Sequence, residues 1–153
     1  MSKDGTCYLY LVRHGEAANH AVDGERPLTA RGVEQVKAMA QKAKERVEGV
    51  EITNLFHSPL VRACQSAEIL GEFLPGVPLR EGDNLLPNSS PTVWGDQAHC
   101  MNESIILVGH LPYMEDIVKY LVGPMAVVEF NTANMVCLER KGEKAPFTLA
   151  WKI

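Results

Sequence analysis

An α/β layer fold built on one mixed sheet is predicted by three features of this sequence. β-prone runs alternate with stretches of helical periodicity as far as Gly123-Pro124, the strand candidates near both ends of that stretch are apolar almost without a break, and the chain closes on short strands joined by tight turns.

The elements follow in order. Thr6 to Val12 is a continuous β-prone run, as a buried central strand requires, and it ends at Arg13-His14-Gly15, where polarity jumps within one residue. After a loop to Pro27, Thr29 can cap a helix whose Val33, Val36, Ala40, Ala43 and Val47 fall on one stripe; Gly49 stops it. Ile52 to Phe56 is a second, short strand that breaks into His57-Ser58-Pro59. Ser58 as N-cap and Pro59 at the first helical position predict the next helix, with Leu60, Ala63, Cys64, Ala67 and Leu70 as its buried face. Pro75, Gly76 and Pro78 end that helix and lead into an extended segment from Val77 to Glu81. The stretch from Gly82 to Pro91 is turn-rich, and Ser90-Pro91 opens a short helix carrying Trp94. Ser104 to Val108 is a third buried strand that runs straight into Gly109-His110. A helix with Met114, Ile117, Val118 and Leu121 on one face follows, up to Gly123-Pro124. The remainder reads as three strands, Ala126 to Phe130, Asn134 to Glu139 and Phe147 to Ile153. With no repeat or linker in the pattern, residues 1–153 are read as a single domain.

Composition narrows the function. A chain of 153 residues with 46% hydrophobic and 22% charged residues can bury a full core, which excludes disordered and fibrous classes. A net charge of −4 argues against a nucleic-acid partner, and no run approaches the ~20 apolar residues of a membrane span. The start, Met1 to Gly5, carries no apolar stretch of signal-peptide type, so a cytoplasmic protein is expected. Cys7, Cys64, Cys100 and Cys137 lie far apart without metal-site spacing and are read as reduced thiols.

The chemistry is expected where strands end. Arg13-His14-Gly15, Ser58 through Arg62, and Gly109-His110 each place polar residues between a strand and a helix. In open α/β sheets ligands bind beyond the carboxyl ends of the strands. Any one of these could be structural: a histidine at a strand end usually satisfies nearby backbone, and an arginine on a helix is usually an exposed ion-pair partner. The same event at three strand ends is hard to read that way. Two arginines and two histidines would then form a positive site in an acidic protein. Its natural occupant is an anion, and the arginine fork matches phosphate oxygens. His20, His57 and His99 lack this context and are assigned to surface or packing.

Four motifs now carry a resemblance. Leu11-Val12-Arg13-His14-Gly15-Glu16-Ala17, Arg26-Pro27-Leu28-Thr29-Ala30-Arg31-Gly32, Ser58-Pro59-Leu60-Val61-Arg62-Ala63 and Val108-Gly109-His110-Leu111-Pro112 resemble the histidine phosphatase superfamily. Within it they are similar to the small SixA-type phosphohistidine phosphatases, as is Phe130-Asn131-Thr132-Ala133. The resemblance runs from about residue 7 to residue 139. It implies the phosphoglycerate mutase-like fold, a three-layer α/β/α arrangement with a central mixed, mostly parallel sheet. It also implies that His14 is the nucleophile, forming a phosphohistidine enzyme that water hydrolyses, and that Arg13, Arg62 and His110 hold the phosphoryl oxygens. Nearby cations should keep His14 neutral, and a backbone carbonyl should fix its tautomer. No metal and no cofactor is required by this design.

Two departures from the superfamily matter. The mutase branch has Trp-Asn five and six residues after its nucleophile, where this chain has Asn19 and His20, which counts against a phosphoglycerate mutase. Larger members supply an acidic proton donor between the second arginine and the second histidine. Here Leu86-Pro87-Asn88-Ser89-Ser90-Pro91 holds no acid, and Glu81 and Asp83 lie upstream, so the general acid is unassigned. The short span from Arg62 to His110 leaves little chain for a lid. An open, shallow site suits a phosphohistidine-containing phosphotransfer or phosphocarrier protein as partner. A small-molecule phosphomonoesterase is the alternative enzyme, and a non-catalytic phosphate-binding module is the rival from another class.

Overall fold

Side-chain alternation along the first strand shows how the sheet divides the core. β1 (Thr6–Arg13) sends Tyr10 and Val12 into one apolar cluster and Leu9 and Leu11 into another. The computed structural model describes residues 5–153; Met1 to Asp4, most of the start read above as lacking an export signal, lie outside the described residues.

After β1, a 3₁₀ turn (Asp23–Glu25) precedes α1 (Ala30–Arg46), β2 (Ile52–His57), α2 (Val61–Phe73), β3 (Leu79–Glu81) and α3 (Thr92–Cys100). The chain continues through β4 (Ser104–Gly109), α4 (Tyr113–Val122), β5 (Met135–Lys141) and β6 (Phe147–Lys152). The sheet order is β3-β2-β4-β1-β5-β6. β3, β2, β4 and β1 pair in parallel, while β5 is antiparallel to both β1 and β6. The first cluster joins Tyr10 and Val12 to Val36, Ala40, Ala63 and Leu70 of α1 and α2. The second joins Leu9 and Leu11 to Trp94, Met114 and Ile117 of α3 and α4. Helices therefore cover both faces of a mixed, mostly parallel sheet, in three layers. No helix among the described residues is long and apolar enough to cross a membrane.

Most elements form where the sequence places them. The Thr29 hydroxyl accepts from the Gly32 N–H at 2.9 Å and so caps α1 as expected. Val36, Met39, Ala40 and Ala43 form the buried stripe of α1, with Val33 only partly covered. The four cysteines are free thiols, Cys7 and Cys137 buried, Cys64 half-buried and Cys100 exposed.

Two expectations need correction. α2 starts at Val61, not at Ser58 and Pro59, because Leu60 keeps an extended backbone (φ −70°, ψ 139°); the Ser58 hydroxyl accepts from the Leu60 N–H at 3.2 Å and also bonds His110 Nε2 at 2.7 Å. The buried face accordingly turns toward Arg62, Ala63, Ser66, Ala67 and Leu70, leaving Leu60 and Cys64 half-buried. Ala126 to Phe130 is not a strand. It pairs with no strand of the sheet, and its carbonyls serve side chains instead. Phe130 O accepts from Arg13 at 3.0 Å and Glu129 O accepts from Lys152 at 2.6 Å.

Candidate active site

The ends of β1 and β4 lie side by side, with Arg13 in register with Gly109, so His14 and His110 each stand one residue beyond that pair. The His14 N–H continues the ladder to Gly109 O at 3.0 Å, and the two imidazole centroids are 5.1 Å apart. The chain then turns sharply against α1. A Cβ on Gly15 would sit 2.7 Å from Gly32 O and 2.8 Å from Val36 Cγ2, so only glycine lets this turn approach the helix. The Gly15 N–H is satisfied by Ser66 Oγ of α2 at 3.0 Å.

Arg13, His14, Arg62 and His110 all line one cleft of about 350 Å³, together with Glu16, Arg26, Pro87 and Thr132 among others. The four residues singled out from three strand ends thus converge. His57 is buried with Nδ1 at 2.9 Å from Ser58 O, His20 is exposed and pairs with Glu25, and His99 packs edge-on against Phe147; none of the three lines the cleft.

His14 is buried, with Nδ1 2.6 Å from Gly15 O. A carbonyl oxygen only accepts, so Nδ1 carries the proton and Nε2 keeps its lone pair. Burial lowers its pKa to about 4; the Gly15 carbonyl opposes this, and Arg62, Arg13 and Arg26 reinforce it. The ring is neutral at neutral pH. His110 is lowered to about 3, by burial first and then by His14 and the arginines, with Asp23 opposing. Its Nε2 bonds Ser58 Oγ. Among the described residues its Nδ1 and Arg13 Nε are buried side-chain atoms without a partner, as are Tyr113 Oη and Arg140 Nε.

The arginines are held in place. Arg13 donates to Phe130 O, so the Phe130-Asn131-Thr132-Ala133 motif wraps the end of β1; the Ala133 N–H returns to the carbonyls of Arg13 and His14 at 3.1 and 3.0 Å. Arg62 is 5% exposed, and its guanidinium is gripped by Asp23, Nη1 donating to the backbone oxygen at 2.9 Å and Nη2 to Oδ2 at 3.3 Å.

Sequence reasoning missed Arg26, Glu16 and Asp23. Arg26 donates to Ala18 O at 3.0 Å and to Asp23 Oδ1 at 3.3 Å, and adds a third arginine to the cleft. Glu16 lines the same cleft, with Oε2 3.4 Å from Arg31 Nε. The signals were present in the Arg26-Pro27-Leu28-Thr29 motif and in the place of Glu16 two residues after His14. Glu81 and Asp83 do not line the cleft; the Asp83 carbonyl accepts from Trp94 Nε1 at 2.7 Å. Among the described residues no group of three or more histidines, cysteines and carboxylates is arranged to hold a metal ion.

A neutral imidazole with a free lone pair, ringed by guanidiniums at the ends of parallel strands, defines a phosphoryl-transfer class of site. The profile of the histidine phosphatase superfamily (branch 1) matches residues 9–86, and the chain belongs to that superfamily. Its likeness within the superfamily runs to the SixA type. The phosphohistidine phosphatase SixA of Escherichia coli (strain K12) is 34% identical, over 95% of this chain and 92% of that protein. A solved structure of the protein histidine phosphatase SixA complexed with tungstate has a TM-score of 0.85 at 27% identity, covering 95% of this chain and 96% of that one. An uncharacterized protein of Picosynechococcus sp. (strain PCC 7002) is 35% identical over 111 residues, and this chain spans 66% of its length.

Proposed function

We propose that this chain is a phosphohistidine phosphatase, a single histidine phosphatase domain over residues 1–153 that acts in the cytoplasm on a phosphohistidine-containing phosphotransfer or phosphocarrier protein. The observation that carries the reading is the pairing of His14 Nε2, left free by the Nδ1 bond to Gly15 O, with Arg13, Arg62 and His110 around one cleft. His14 Nε2 attacks phosphorus, the bond to the substrate's nitrogen breaks, and a phosphorylated His14 forms. Arg13, Arg62 and His110 hold the three non-bridging oxygens as charge redistributes. Water then attacks the phosphorylated His14 and releases phosphate. That a SixA structure was solved with tungstate, a tetrahedral oxyanion, supports the anion assignment.

The deciding experiment is rapid quenching after mixing with a ³²P-labelled phosphohistidine protein. We expect acid-labile label on His14 in the wild type and none in His14→Ala, with turnover unaffected by exhaustive chelation. Label on another residue, or a requirement for added divalent ion, overturns the mechanism. One observation favours a second reading, a small-molecule phosphomonoesterase: Glu16 lines the cleft and could protonate an alkoxide. Comparison of the phosphohistidine protein with a panel of alkyl phosphates separates the two readings.

A further inference from the structure

Beside the phosphate cleft lies a second depression of about 430 Å³, lined by Asp23, Leu60, Leu86, Pro87, Asn88 and Ser89. The two are contiguous. Pro87 lines both, and Asp23 of the second is bonded directly to Arg62 of the first. Charge differs between them: three arginines, Arg13, Arg26 and Arg62, and one carboxylate, Glu16, line the cleft, while the charged residue lining the second cavity is Asp23. A group seated there while its phosphate occupies the cleft meets the apolar Leu60, Leu86 and Pro87, the neutral polar Asn88 and Ser89, and one carboxylate.

We propose that this second cavity receives the leaving group, the ring-protonated imidazole of a phosphohistidine, and that its free ring N–H donates to the Asp23 carboxylate. The proposal rests on the phosphohistidine reading above. A phosphohistidine protonated on its second ring nitrogen is an anionic phosphoryl group joined to a cationic, flat, largely apolar ring. The paired cavities match that distribution in sign and in order. Each Asp23 oxygen already accepts from one arginine, Oδ1 from Arg26 and Oδ2 from Arg62, and each retains acceptor capacity for one more donor.

The chemistry balances without an outside proton donor. The His14 Nε2 lone pair forms the new bond to phosphorus, and the pair of the breaking P–N bond returns to the substrate's ring nitrogen. A ring that entered as a cation, with its proton on the other nitrogen, leaves as neutral imidazole and keeps that proton. A ring lacking the proton would have to leave as imidazolate, a far poorer leaving group. Asp23 therefore acts by favouring the protonated substrate. An alkyl phosphate brings no N–H to Asp23, and its alkoxide would face a carboxylate held ionised by the Arg26 hydrogen bond and the Arg62 charge. The charged groups facing Asp23 are Arg26 from the segment after the 3₁₀ turn and Arg62 from α2, with His110 at the end of β4 within range of its field. Glu25 and His20 pair with each other on the exposed side of the turn.

The test compares kcat at saturating substrate, which reports ionisations within the enzyme–substrate complex, against pH for a phosphohistidine peptide and for p-nitrophenyl phosphate. In the wild type, phosphohistidine turnover should hold to a pH above the ring titration of the free peptide, measured by NMR in the same buffer, and then fall. The nitrophenyl substrate should lack that alkaline limb. Asp23→Asn keeps an acceptor for Arg62 but not the charge. It should move the limb to lower pH, costing about tenfold or more on phosphohistidine at pH 8 and under about threefold at pH 6. On p-nitrophenyl phosphate its effect should be the same at both pH values. A wild-type limb that coincides with the free ring's titration overturns the proposal. So does an Asp23→Asn loss equal for both substrates at both pH values, which would leave Asp23 as a positioning residue for Arg62. If the variant fails to fold, the wild-type limb alone decides. Wild-type protein that cleaves p-nitrophenyl phosphate but leaves the phosphohistidine peptide intact refutes the functional reading itself, a separate outcome.

Discussion

β1 and β4 are adjacent parallel strands that each deliver a histidine to the same cleft, yet the two histidines are held in different ways. The His14 ring is fixed by its own neighbour, Nδ1 to the Gly15 carbonyl, a contact within one peptide unit. The His110 ring is fixed from across the sheet by Ser58 Oγ, 52 residues away, at the end of β2. The first arrangement forms whenever the chain turns at Gly15. The second exists only once β2, β4 and the start of α2 are packed together. The proposed nucleophile is thus locally oriented, and the histidine proposed to hold phosphate depends on tertiary structure.

The comparison breaks most severely at His14. His14→Ala should abolish turnover while leaving the circular dichroism spectrum and melting temperature near wild type; activity above a few per cent would remove the nucleophile assignment. Arg62→Ala should lose on the order of a hundredfold in kcat, since a preorganised cationic donor is typically worth ~3 kcal/mol. Unchanged kinetics with lowered thermal stability would make Arg62 a purely structural residue.

Ser58→Ala tests the long-range support directly. It leaves His14 and its carbonyl untouched but frees His110 Nε2, and we expect a fall of about tenfold in kcat together with a loss of about 1 kcal/mol in stability. Normal kinetics would show that His110 needs no help from β2.

A smaller effect lies in the pH dependence of stability. Both histidines have folded-state pKa values depressed below the ordinary 6.5, to about 4 for His14 and about 3 for His110. As pH falls the unfolded chain takes up these protons first, so the unfolded state binds more protons and stability drops. The contribution is intact above about pH 6.5 and is lost as pH falls toward 4 and then 3. Thermal melts from pH 7 to pH 4 should therefore show a shallower decline in His14→Gln and in His110→Gln than in the wild type. Equal slopes would mean that the rings are not held neutral. Least of all, Glu81→Gln and Asp83→Asn should each change phosphohistidine turnover by less than about tenfold, since neither lines the cleft.

What the sequence revealed and what it hid follow from the range of the forces involved. β1 and β4 were legible because uninterrupted apolar runs have few alternatives to a buried strand, and α4 because Met114, Ile117, Val118 and Leu121 repeat at helical spacing. Arg13, His14, Arg62 and His110 were legible as a set because each follows such an element or opens the next. Ala126 to Phe130 was misread because apolar composition does not say whether a segment pairs with a strand. Ser58 was misread because its hydroxyl suits a helix cap, while the start of α2 is set by Leu60, whose backbone stays extended. Asp23 and Arg26 lie in or beside a 3₁₀ turn whose path is set by Arg62 on a distant helix, and no local pattern announces that pairing.

The register of β1 against β4 has a consequence for divergence. The two histidines are indexed to each other by a backbone ladder that no single side chain maintains, whereas Asp23, Pro87 and Thr132 reach the cavities from loops outside that ladder. Loop sequences can be exchanged, lengthened or grafted without altering the spacing of the two histidines. The molecule therefore separates what it does from what it does it to. Descendants of such a chain can explore new substrates at the rim while inheriting the histidine pair, provided the contacts of Asp23 to Arg62 and of Phe130 to Arg13 are kept.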